Sequence, residues 1–282
     1  VPIFRESYQS WDGFLKERPR TWLVIAKAGI KLAWSKGLII VLLIGSIPFV
    51  VGAVKLFLFS KVQDVGIMPA QVKQVVEDVS FFSNFLRDQS FYLILVSIIA
   101  GAGLIVKDKK NKSFGFYFSK PVTFRDYIFG KFLCVAGYAF LVTGVPALIL
   151  FFIKVFISRD ASFFNTYYYF IFSILGSSLL SITVMSGIVL GFSAISNNIR
   201  SSAIYFFTFL LLPDILQKTF SQVSYMGLFS VTALLKQANA YLFRIKPPYE
   251  FSWYAMTAAL ICVAGLSFLM LKLKVRTTEV VA

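Results

Sequence analysis

A chain of 282 residues that is 58% hydrophobic and only 15% charged, with mean hydropathy +0.77, has too little polar surface for a water-soluble domain and falls in the membrane class. Its formal net charge of +15 would elsewhere point to nucleic acid. Here the cations sit in short segments flanking apolar runs, not on one face of an aqueous domain, so no nucleic-acid partner is expected. There is no His, and Cys134 and Cys262 both lie inside apolar runs. That leaves no usual ligand set for zinc or haem and no disulfide framework.

Residues 1–37 hold seven cations against Glu6, Asp12 and Glu17, without the short basic head and apolar core of a secretory signal. From Pro19 the pattern turns helical. Trp22, Ile25, Gly29 and Leu32 share one face while Lys27, Lys31 and Lys36 lie away from it, which describes a basic amphipathic helix lying in the membrane interface. A plain basic flank anchoring the first span is the simpler reading of the same residues.

The first span is expected at 38–59, long enough for about 30 Å of hydrocarbon, with a kink at Pro48 and Lys55 snorkelling near its far end. Residues 60–90 read as an outside loop. Within it Val72, Val75, Val76, Val79 and Phe82 recur at helical spacing after Pro69. Spans two (91–106) and three (132–153) are free of charge and bracket a basic segment. A short loop, 154–166, leads to span four, 167–192. There Ser173, Ser177 and Ser181 recur every four residues, as do Thr183, Gly187 and Gly191, a spacing that lets helices approach closely or that lines a path.

The turn 193–201 carries Arg200, and span five, 202–220, is expected to break at Pro213 and Asp214. Residues 221–250 are half apolar with Lys236 in the middle. A seventh crossing there would strand Lys272, Lys274 and Arg276 outside, so the segment reads as a re-entrant or surface segment on the outer side. The last span, 251–271, has Trp253 and Tyr254 at its outer interface. The expected fold class is thus an all-α integral membrane protein, a single transmembrane domain of six helices preceded by an interfacial helix. Eighteen of the 28 cations fall on the side of the termini, which places both termini in the cytoplasm of a cell-membrane protein.

The basic segment, 107–131, holds seven cations against Asp108 and Asp126. Each charge would cost roughly 2.5–3.5 kcal/mol at a bilayer centre, so the segment belongs in water, and by its sign in the cytoplasm. Pro121 disfavours helix at Lys120, and a helix can restart with Thr123 as its N-cap. In order the segment reads Asp108-Lys109, Ser113, Gly115, Ser119-Lys120-Pro121, Thr123, Arg125-Asp126-Tyr127 and Gly130-Lys131. That order resembles the first intracellular loop of type-2 export permeases of ATP-binding cassette (ABC) transporters. The departures are Asp108, where members often carry Glu, and Thr123 and Phe124, where they often carry Ser or Arg. Ser196-Asn197-Asn198 and Arg200 are similar to the second cytoplasmic turn of that family, and the helix after Pro19 to its elbow helix.

The resemblance implies a permease that works as a dimer, with a second copy or a paralogue, in the lipid bilayer. It also implies two separate ATP-binding subunits that dock on 107–131. No phosphate-binding GxxxxGK[ST] loop occurs, so ATP and Mg are expected on those subunits and no cofactor on this chain, which is not expected to be an enzyme itself. Asp214 and Lys218, four residues apart beside Pro213, are expected to pair at the outer interface or to form an outer gate. The alternative, a channel or secondary transporter, would normally keep ionisable groups in mid-membrane, and these spans show almost none.

Overall fold

A computed structural model describes residues 20–65, 80–118, 122–158, 168–220 and 224–279. The regular elements in these residues are all helical: α1 (Thr21–Ala33), α2 (Lys36–Gly45), α3 (Ile47–Val65), α4 (Ser80–Gly101), α5 (Leu104–Lys110), α6 (Ser113–Phe118), α7 (Phe124–Val142), α8 (Gly144–Ser158), α9 (Tyr169–Ile195), α10 (Ile199–Thr219), a 3-10 turn (Ser224–Leu228), α11 (Val231–Leu242) and α12 (Trp253–Glu279). Among the described residues, six stretches are long and apolar enough to cross a membrane: Lys36–Leu58, Ser80–Lys110, Phe124–Ile157, Tyr169–Ile195, Ile199–Thr219 and Trp253–Val275. The chain therefore has the build of a multi-pass membrane protein. Its basic end gathers 107–131, the 196–200 turn and Lys272 and Lys274; the opposite end is called the far end below.

Three spans are broken, each for a local reason. In the first, α2 gives way to α3 at Ser46, whose hydroxyl donates to Leu43 O at 2.6 Å. Pro48 follows in the first turn of α3, where its missing N–H matters least. The expected kink is thus a short turn two residues before the proline. In the third, α7 yields to α8 at Thr143, which donates to Ala139 O at 2.8 Å ahead of Pro146. In the second, a turn at Ala102–Gly103 separates α4 from α5.

Two expectations need correcting. Helix α4 begins at Ser80, so the second span takes in residues assigned to the outside loop, and Phe82 and Phe85 are buried against α8 and α9. The periodic valines before it lie outside the described residues. Helix α10 also runs through Pro213 without a break. Pro213 lies within two turns of the helix end, where the lost hydrogen bond and the freed Phe209 carbonyl are most easily accommodated.

The core is built around α9, which packs against α4, α5, α7, α8, α10, α11 and α12. Its two small-residue stripes serve two neighbours. Ser173 donates to Leu242 O at 2.7 Å and Ser177 to Asn239 Oδ1 at 3.2 Å, both toward α11. Gly187 and Gly191 lie beside Ser267 of α12. Helix α11, of twelve residues and so about 18 Å long, is too short to cross the membrane. It buries Leu234, Leu235 and Ala238 in the bundle. Gln237 then ties the return segment down, donating to Tyr249 O and Phe251 O and accepting from Tyr249 N.

Helix α1 lies along the start of α7. Its buried face is Ile25, Ala26, Gly29 and Ala33, while Leu32, expected on that face, is 53% exposed. Lys27 and Lys31 are exposed, and so are the apolar Leu23, Val24 and Trp34, as an interfacial helix requires.

Candidate functional site

The basic segment folds as three helix pieces whose residues divide into an inward and an outward set. Asp108, near the end of α5, and Tyr127 and Lys131, one turn apart on α7, point at one another. Lys131 Nζ stands 2.7 Å from Asp108 Oδ2, and the Tyr127 hydroxyl donates to the same oxygen at 2.7 Å. Lys131 is 2% exposed and also donates to Leu104 O at 3.5 Å. Its ammonium sits 5.5 Å and 5.9 Å from the ring centres of Tyr127 and Tyr117, a further stabilisation for a desolvated cation. Burial, and then the Asp108 carboxylate, hold the Tyr117 phenol above its ordinary pKa, so that it stays a neutral donor.

Lys109, next in the chain, points the other way round α5. Its ammonium donates to Ala194 O (3.1 Å), Ser196 O (3.0 Å) and Asn197 Oδ1 (3.3 Å). A lysine thereby closes the carbonyl end of α9, where a cation is favoured by the helix dipole. Beside it, Ser193 accepts from the N–H groups of Ile105 and Val106 and donates to Ala102 O at 2.9 Å. One hydroxyl thus satisfies the backbone groups freed by the turn between α4 and α5. Asp108 and Lys109 consequently lock α5 to two different spans.

Thr123 is the N-cap of α7 in a full capping box. Its side chain accepts from Asp126 N at 3.2 Å and donates to the Asp126 carboxylate at 2.7 Å, and that carboxylate accepts from Thr123 N at 3.4 Å. Thr123→Ala should loosen the first turn of α7 by about 0.5–2 kcal/mol, read as faster amide exchange over residues 124–127 with the rest of the helix unchanged. Gly130 faces α1. A Cβ there would stand 2.8 Å from the Ile25 side chain and from the carbonyl oxygen of Trp22.

Of the residues expected to dock a partner, Asp108, Tyr127, Gly130 and Lys131 are buried inside the chain and can touch none directly. Their chemistry reads as docking in a sequence because a buried charge pair and an exposed one use the same letters. Thr123 and Arg125 stay exposed, and Asp126 is half-buried by its own cap. Ser119, Lys120 and Pro121 lie outside the described residues. In the second turn Asn197, Asn198 and Arg200 are exposed. Asn198 is the N-cap of α10 without a side-chain cap bond, and Asn197 receives Lys109. Ser193 and Tyr117 were not legible as site residues, since neither stands in a pattern that distinguishes it from packing.

At the far end, Lys218 Nζ is 3.1 Å from Asp214 Oδ2. Asp214 Oδ1 accepts from Thr232 at 2.6 Å and from Ser230 at 3.4 Å, so the carboxylate joins α10 to the start of α11. Pro213 adds no polar group and sets only the helix geometry. The expected pair exists, and the same carboxylate also links α10 to α11.

The chain matches no protein-family model and no curated protein in sequence, so the six-span helical build stands without a family.

Proposed function

We propose that this chain is the membrane-spanning permease subunit of an ABC exporter. It would work as a dimer, with a second copy or a paralogue, on two separate ATP-binding subunits that carry the ATP and Mg. The observation that supports this best is the three-sided clamp on the start of α7. The elbow-like α1 holds one flank through Gly130, the Asp108–Lys131 pair ties the helix to α5, and the capping box stiffens its first turn. Arg125 projects outward from the clamped turn. A push at Arg125 would therefore move α7, α1 and α5 together, and through Lys109 and Ser193 would reach the central α9. Force applied to one small surface becomes a rigid-body shift of several spans, as switching of access between two states requires. The exposed first turn of α7 at Arg125, not the buried triad, is the docking surface in this reading. The basic end faces the cytoplasm by the distribution of the cations, with both termini on the same side.

The test compares Arg125→Ala with Lys110→Ala, which removes an exposed charge from the same end. Losing one partner of a docked charge pair costs on the order of 2–5 kcal/mol. ATP hydrolysis that co-purifies with the chain from its native membranes should fall at least tenfold for Arg125→Ala and less than twofold for Lys110→Ala. Equal, small effects, or no co-purifying hydrolysis with the unaltered chain, would end the proposal.

A further inference from the structure

The far end carries a second feature that the coupling geometry does not use. A cavity of about 160 Å³, its wall mostly apolar but interrupted by several polar side chains, opens between α4, α11 and the return segment 243–252. Its wall includes Ser80, Asn84 and Arg87 from α4, Lys236 from α11 and Lys246 beyond it. At roughly 30 Å³ per water, it has room for about five water-sized groups, the scale of a small oxyanion with residual water. Below it lies a smaller cavity of about 20 Å³, which shares Arg87, Lys236 and Asn239 with the first and reaches Ser177, Ser178 and Ser181 of α9. The serine stripe of the central helix thus lines a smaller cavity that shares Arg87 and Lys236 with the larger one.

Three observations assign a charge type to what fits there. Among the described residues, neither cavity is lined by an Asp or a Glu, while Arg87, Lys236 and Lys246 all line the larger one. Asp214, whose carboxylate also acts on Lys236, and Asp88 both lie outside the cavity lining. Asp214 is held by Lys218, Thr232 and Ser230, and Asp88 meets Arg87 at 3.7 Å on an exposed surface, leaving the other guanidinium donors free of that contact. The adjoining smaller cavity also holds a buried donor: Ser178 is 1% exposed and its hydroxyl has no hydrogen-bond partner. A buried hydroxyl without a partner carries a cost that a bound acceptor would remove.

Lys236, half-buried at the end of an apolar bundle, attracts an anion more strongly than the same cation fully in water, while Arg87 and Lys246 are exposed and add their charge at the mouth. A guanidinium supplies a planar fork of donors, and two ammonium groups on other walls supply rotatable ones, a set suited to a group with several charged oxygens. We propose that this far-end cavity binds a phosphate group, held by Arg87, Lys236 and Lys246. The phosphate can be carried by an anionic lipid headgroup or by a soluble solute, and the site makes the same contacts with either. The site rests on its own geometry and stands whether or not the chain is driven by ATP-binding subunits.

The experiment uses the full purified chain in dodecyl maltoside, a detergent that carries no phosphate. It is titrated by calorimetry with short-chain phosphatidylglycerol in one arm and with glycerol 3-phosphate in the other. The same titrations are run on Lys236→Gln, Lys246→Gln and, as an equal loss of charge at the basic end, Lys110→Gln. Lys246 and Lys110 are exposed, so those variants fold even if Lys236→Gln, which is half-buried, does not. Saturable binding of one equivalent is expected in at least one arm. It should weaken at least tenfold with Lys236→Gln and at least threefold with Lys246→Gln, and be unchanged with Lys110→Gln. Binding confined to the lipid arm identifies a headgroup as the source; binding confined to the other arm identifies a solute; binding in both shows that the phosphate alone is recognised. No saturable binding in either arm, or an equal loss with Lys110→Gln and Lys246→Gln, overturns the proposal.

Discussion

Lys131→Met should destabilise the purified protein by about 3–5 kcal/mol, one of the two largest effects expected from a single substitution here. The ammonium it removes stands 2.7 Å from Asp108, and both groups are buried. Methionine keeps the length and apolar stem of lysine, so little packing is lost and the cost comes from a carboxylate left without its counter-charge. Pairing Lys131→Met with Asp108→Asn tests that cause. Asparagine is neutral and still accepts the Tyr127 hydroxyl, so the double variant should recover most of the loss, because a buried ion pair replaced as a unit is often close to neutral. Thermal unfolding midpoints in one detergent measure both. A loss below about 1 kcal/mol for the single variant, or a double variant no better than the single, would show that the pair is solvated and does not clamp α5 to α7.

Gly130→Ala should lower stability by about 1–3 kcal/mol and loosen α1 from α7, whereas Gly137→Ala, two turns along the same helix, should raise it by up to about 1 kcal/mol. The added atom is identical; the surroundings decide the sign. At Gly130 a Cβ would lie 2.8 Å from a backbone oxygen of α1 and from the branched Cβ of Ile25, neither of which is the free end of a flexible side chain. At Gly137 no heavy atom lies within 4 Å, so only the gain in helix propensity remains. Spin labels on exposed Lys27 and Phe129 would report the separation directly, with a broadened, longer distance for Gly130→Ala alone. The same sign of stability change in both variants would mean that α1 is not seated on Gly130. The elbow would then have no rigid link to the helix that carries Arg125.

The number of helices long and apolar enough to cross a membrane and the charge asymmetry were legible in the residues alone. An apolar run of about twenty residues has few alternatives once its backbone must satisfy its own hydrogen bonds, and a cluster of lysines cannot be placed inside hydrocarbon. The capping role of Thr123 was readable for a similar reason. A proline two residues earlier and a carboxylate three residues later act over a single turn. Such features are decided within the reach of a few peptide units, or by solvent as a whole.

What the tertiary structure decided was which polar residues face each other. Asp108 and Lys131 lie twenty-three positions apart, and Lys109 meets carbonyls some eighty-five positions away. Nothing local tells an acid bound for a buried pair from one bound for a partner's surface. Span limits moved for the same reason. Ser80–Ser90 is polar enough to read as loop, yet it is helical because Phe82, Phe85 and Leu86 bury one face against other spans, and Gln89 donates to Gly45 O across the bundle. The far-end cavity is the extreme case. Arg87, Lys236 and Lys246 are ordinary loop and flank cations in the linear chain, and their convergence exists only because α11 is too short to cross and folds back beside α4. Apolar content and charge sign determine how often and which way a chain enters the membrane. Which charges end up paired, buried or gathered around an opening depends on packing between helices distant in sequence, where each contact is set by shape and by the cost of leaving a polar group alone.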